Sequence, residues 1–133
     1  MSATDMEVVR AVYEAFNRGD YETATAMLHE QAELHQVEAI PDTDTYIGRD
    51  EFARGLARWL AGFERGFQYA LEEMIDAPKG VFVRLTLRGR GRTSGVDLEQ
   101  AGFNVWEVRD GRPFRCHAYF DDRKARVAAG LGD

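Results

Sequence analysis

Gly66 divides the chain into two hydrophobic periodicities. That change of period restricts the fold more than any other feature. Before it, apolar residues recur at three- and four-residue intervals, and after it they alternate, so the spacing predicts helices first and a run of strands second. Thr4 to Glu7 reads T-x-x-E, a reciprocal capping box, ahead of Val8, Val9, Val12, Tyr13 and Phe16 on one helical face. Gly19 ends that helix, and Asp20 caps a short second one that runs to about Leu28. Residues 32–39, AELHQVEA, read as a strand. The turn-rich loop IPDTDTYIG leads into a third helix, with Phe52, Leu56, Trp59, Leu60 and Phe63 in one stripe.

Beyond Gly66, residues 67–75 and 81–88 form a hairpin through DAPKG, with Val81, Val83, Leu85 and Leu87 on one face. Gln100 to Val108 is a further strand. Asp110-Gly111 supplies the positive φ angles of a tight turn, and Phe114 to Phe120 returns beside it. Asp121 starts a short final helix closed by Gly130. The expected architecture is α+β, in the order α-α-β-α-β-β-β-β plus a short C-terminal helix, with the helices packed on one strongly curved antiparallel sheet.

A length of 133 residues fits one domain, 1–133, large enough to bury a core. A net charge of −6 argues against nucleic acid or an anionic membrane as partner, since both require a dense basic surface. One cysteine excludes an internal disulfide and the multi-cysteine zinc patterns. The first residues carry no basic start and apolar run, and no segment is long enough to span a bilayer, which places the expected location in the cytoplasm.

The stretch RCHAYFDD, residues 115–122, gathers a thiol, an imidazole, a phenol and two carboxylates, the residue types of nucleophilic and acid–base chemistry. On a strand, however, Cys116, Ala118 and Phe120 share one face while His117, Tyr119 and Asp121 share the other. Cys116 and His117 are then kept apart. Asp121 has a structural role as a helix cap, so the expected reading of the whole stretch is structural.

The element order, together with AFNRGD at 15–20, the loop ending at Gly48, RGRGRTSG at 88–95 and YFDDRKARVAAGL near the end, resembles the nuclear transport factor 2-like superfamily. The similarity is closest to its SnoaL-like members. The resemblance implies a cone, in which a bent sheet wraps a helix around one deep apolar pocket, in homodimers paired through the sheet. It implies no single reaction, because the superfamily spans ketosteroid isomerases, polyketide cyclases, limonene epoxide hydrolases, dehydratases and non-catalytic modules. Counted from Gly19-Asp20, the isomerase tyrosine falls on Val12 and not on the adjacent Tyr13. The general-base aspartate falls on Gln36, which cannot accept a proton from carbon. The second oxyanion donor falls on Asn104, whose amide can serve. The acid–base aspartate of the cyclases and epoxide hydrolases falls on Ala118.

Alternation along the first strand places Leu34, Gln36 and Glu38 toward the pocket, facing Asn104, Trp106 and Gln100. Glu38 and Asn104 are therefore the candidate catalytic pair, with Glu38 raised in pKa by an apolar setting, or else solvated and idle at the rim. Tyr13, Phe16, Gln36, Trp59, Phe63, Trp106 and Ala118 are the candidate binding residues, although aromatics at helical spacing bury themselves with or without a ligand. His35 reads as a structural histidine and His29 as a helix-end residue. The histidines at 29, 35 and 117 have no i, i+4 pairing, so no metal is assigned, and no cofactor is expected. Arg88, Arg90 and Arg92 read as a solvated strand edge and not as a phosphate site. The expected function is a SnoaL-like pocket for a small apolar or aromatic molecule, with isomerase, cyclase, dehydratase or hydrolase chemistry. The alternative is a non-catalytic ligand-binding or dimerisation module. A homodimer through the sheet is expected, with Phe103 and Val105 as its apolar contacts.

Overall fold

A computed structural model describes residues 2–36 and 45–132, with side chains from Asp5 onward. The helical half comprises α1 (Ser2–Asn17), α2 (Tyr21–Ala26) and, after two short strands, α3 (Arg49–Leu60). The alternating half comprises β3 (Gln68–Ala77), β4 (Gly80–Arg90), β5 (Asp97–Arg109) and β6 (Arg112–Tyr119), followed by α4 (Asp122–Ala129). The short strands are β1 (Glu33–Gln36) and β2 (Thr45–Ile47). The order of elements and the α+β class are those expected, with β2 added.

Several local signals act as the sequence indicates. Gly19 adopts φ 83, and Asp20 N bonds back to Ala15 O at 3.0 Å, the left-handed closure that ends α1. Asp20 and Asp121 cap α2 and α4 by accepting from Thr23 N and Lys124 N. Asp110 and Gly111, at φ 55 and 71, turn β5 into β6. Helix α1 starts at Ser2, so Thr4 already lies within it and is not its cap.

The sheet runs β2-β1-β6-β5-β4-β3. All pairings are antiparallel except β1 with β6, where Glu33 to Gln36 lie parallel to Arg115 to Ala118. The expected all-antiparallel sheet is thus mixed, because β1 enters beside the last strand and not within the meander. Bulges between Leu71 and Glu73 and opposite Glu107 and Val108 add residues to one strand of a pair and bend the sheet. At the β3 edge, the Asn17 side-chain amide bonds both the N–H and the C=O of Tyr69 at 2.9 Å, which fastens the end of α1 to that edge and satisfies its backbone.

Two apolar clusters lie on opposite faces of the sheet. The inner one joins α1, α2 and α3 to the concave face through Val9, Phe16, Phe52, Val83, Leu85 and Trp106. The outer one holds Phe82, Phe103 and Val105 under Ala125 and Ala129 of α4. Phe103 and Val105 are therefore covered by the chain's own last helix and do not supply an apolar dimer surface. The arginines at 88, 90 and 92 also differ from expectation. Strand β4, which holds the first two, lies between β3 and β5 and is no edge, while Arg88 pairs with Glu99 at 3.3 Å and Arg92, past the end of the strand, donates to the carbonyls of Ala61 and Phe63.

Candidate functional site

The concave face of the sheet and the three N-terminal helices enclose a cavity of about 900 Å³. Its wall is built by alternation. Leu34 and Gln36 come from β1, Gly102, Asn104 and Trp106 from β5, and Cys116 and Ala118 from β6. The register makes these neighbours, since Asn104 pairs with Ala118 and Trp106 with Cys116. Gly102 contributes no side chain, and a Cβ there would come within 2.6 Å of Leu87 Cδ1, so this part of the wall is already filled from β4. Tyr13 and Phe16 of α1 and Trp59 of α3 complete the aromatic lining.

One polar cluster is set into this wall. The Tyr13 hydroxyl accepts hydrogen bonds from Asn104 Nδ2 at 2.6 Å and from Trp106 Nε1 at 2.8 Å. Both lone pairs of the phenol oxygen are then used, and the described residues offer no acceptor for its own proton. Burial pushes the Tyr13 ionisation well above the usual tyrosine value, against the lowering effect of the two donors, so the phenol stays protonated at neutral pH. The arrangement is a neutral donor whose oxygen is held by two others, and it can polarise a carbonyl or accept the charge of an enolate. The indole N–H of Trp59 is also buried, without a partner among the described residues.

The remaining candidates fall into three groups. Phe63 does not line the cavity. The helix ends at Leu60, before it, and its ring packs between Trp59 and Phe67 at 5.0 and 4.8 Å. Glu38 lies outside the described residues. Cys116 lines the cavity, but burial raises its thiol pKa, and His117 is on the opposite face of the strand.

The outer face holds the other half of RCHAYFDD. His117 stacks on His35 across the β1–β6 pair, with ring centroids 4.5 Å apart and an interplanar angle of 17°. His35 Nε2 bonds Glu33 Oε1 at 2.8 Å, and Arg115 bridges Glu33 and Glu107, each at 3.1 Å. His29 Nδ1 accepts from Gln31 N, which leaves Nε2–H to donate to Asp110 at 3.3 Å. Among the described residues no group of three or more His, Cys, Asp or Glu could hold a metal ion.

Sequence reasoning assigned Tyr13 only to the aromatic wall and missed its hydroxyl as the hub. The available signal was the pairing of a helix-one phenol with Asn104 and Trp106, two polar-tipped residues on the same strand face. It also missed Arg49, which lines the cavity from the first turn of α3.

Residues 9–115 match the SnoaL-like domain family. No curated protein matches the chain. Among solved structures, Bal32a from a soil-derived mobile gene cassette is 25% identical, with a TM-score of 0.79 over 93% of this chain and 94% of that one. TerC, co-crystallised with polyporic acid, is 22% identical, with a TM-score of 0.76 over 96% and 98%. A Catenulispora acidiphila protein of ketosteroid isomerase-like fold, in complex with trimethylamine, is 14% identical, with a TM-score of 0.74 over 94% and 93%.

Proposed function

The chain belongs to the SnoaL-like domain family, and from that premise we propose that its cavity takes up a small apolar or aromatic molecule and holds an oxygen of it against the Tyr13 hydroxyl. The observation that carries this reading is the Tyr13–Asn104–Trp106 cluster, a free phenolic proton fixed by two donors in a largely apolar wall. Such a donor binds a carbonyl oxygen, and binds it more strongly as negative charge develops, which is the electrophilic half of an isomerase, cyclase, dehydratase or hydrolase reaction. Glu38 and Asn104 remain the proposed catalytic pair, with Asn104 acting through Tyr13. Phe16, Trp59, Trp106, Gln36 and Ala118 form the binding wall.

A second reading, non-catalytic ligand binding, is favoured by the same wall. Gln36 and Ala118 stand at the two carboxylate positions of the family's acid–base chemistry, and neither can move a proton from carbon. Among the described residues no helix is long and apolar enough to cross a membrane. We propose a cytoplasmic protein that pairs through the part of the outer sheet face α4 leaves uncovered.

Native mass spectrometry tests ligand and assembly together. The expected spectrum shows a dimer of the 15.1 kDa chain that retains a small molecule or takes up an added apolar aromatic. A protein that binds no such compound would refute the pocket reading, and a monomer at micromolar concentration would refute the dimer.

A further inference from the structure

Among the described residues the wall of the cavity contains one partly buried charge, and it is positive. Arg49, the first residue of α3, lines the cavity. Among the described residues its side chain makes one hydrogen bond, from Nη1 to the carbonyl of Leu28 at 3.4 Å, at the long limit for such a bond. The same carbonyl is also reached by Arg112 at 3.5 Å, and Arg112 has a better partner in Ala26 O at 3.0 Å. Among the described residues no carboxylate lies within ion-pair distance of the Arg49 guanidinium, whereas Arg54, one turn further along the same helix, is paired with Glu51 at 2.8 Å. Glu22, the other charged group in the wall, is exposed on α2 and forms no ion pair with Arg49.

A guanidinium offers five N–H donors, and leaving most of them unused beside an apolar surface is unfavourable. A ligand carboxylate supplies the missing acceptors in the fork geometry that guanidinium groups favour. We infer that the cavity selects anionic molecules, an aromatic or apolar body bearing a carboxylate or an equally acidic enol, with Arg49 as the residue that sets this preference. The inference rests on the pocket reading above. It adds that the ligand has two ends, an acidic group at Arg49 and an apolar body in the cavity.

Anthracene-2-carboxylate and anthracene-2-carboxamide are the probes, titrated at pH 8 by fluorescence against the full chain and three variants, each first shown folded by thermal melting. Arg49→Gln is expected to weaken the carboxylate about tenfold and the amide less than twofold, and Arg49→Lys to restore most of the carboxylate affinity. Arg112→Gln, which touches the same Leu28 carbonyl from outside the cavity, is expected to change neither. Equal loss of both probes in Arg49→Gln, or no loss of either, overturns the inference while leaving the pocket in place. Failure of the unaltered protein to bind either probe overturns both.

Discussion

Strands β1 and β6 present two different chemistries on their two faces. The inner face carries Leu34, Gln36, Cys116 and Ala118, small or neutral groups that line the cavity. The outer face carries Glu33, His35, Arg115 and His117, tied together by the Arg115–Glu33 ion pair, the His35–Glu33 hydrogen bond and ring stacking. These residues alternate in sequence, so a run that reads as a mixed catalytic cluster separates in space into a ligand wall and a charged brace. The comparison teaches that the cavity's chemistry comes from groups the strand supplies only as neighbours. Tyr13 reaches across from α1, and Arg49 from α3.

The largest expected effect comes from the inner side. Tyr13→Phe removes the oxygen that accepts from Trp106 and Asn104 and leaves a buried indole N–H without a partner, at a cost of about 2–3 kcal/mol. Urea unfolding measures this. A change below about 0.5 kcal/mol would mean that the cluster is not held as described.

Next is the contrast along β6 itself. Ala118→Leu pushes extra methylenes into the cavity and is expected to weaken an aromatic probe tenfold or more, with a stability cost of about 1–3 kcal/mol that melting must separate from binding. His117→Ala, one residue away, is expected to change affinity less than twofold. The opposite pattern would reverse the assignment of the two faces.

The smallest effect is a pH dependence confined to the outer face. Burial, and then the nearby His35, hold His117 below the ordinary imidazole value of 6.5. A depressed folded-state pKa means that this contribution to stability is intact above 6.5 and declines as pH falls through it. Glu33, held below 4.5 by its bonds to Arg115 and His35, adds a second loss at lower pH with the same sign. Stability against urea should therefore decline in two steps on acidification. His117→Ala should remove the upper step and spare the lower, and an unchanged upper step in that variant would assign it to another group.

Much of the fold is legible in the sequence because its signals are local. The period change at Gly66, the glycine and aspartate ends of α1, α2 and α4, and the Asp110-Gly111 turn all act within a few residues of where they are written. The three-residue β2 was not read, for it has little pattern of its own and gains its place by pairing with β1. Phe63 continues the helical spacing of α3 but falls past its end, and the ring turns to Phe67. Phe103 and Val105 alternate as an exposed apolar pair would, yet α4 folds back to cover them.

The sequence by itself determined which residues share a face, because a strand's alternation and a helix's 3.6-residue turn are properties of the backbone. That was enough to set Ala118 against His117 and Asn104 beside Trp106. Tertiary structure decided what each face meets. The parallel docking of β1 on β6 brings two histidines into a stack, the packing of α1 sets a phenol between an amide and an indole, and the start of α3 turns an arginine into the cavity. These contacts join residues 82 to 93 positions apart, or separate helices and strands, and no local pattern encodes the closure that brings such distant groups together.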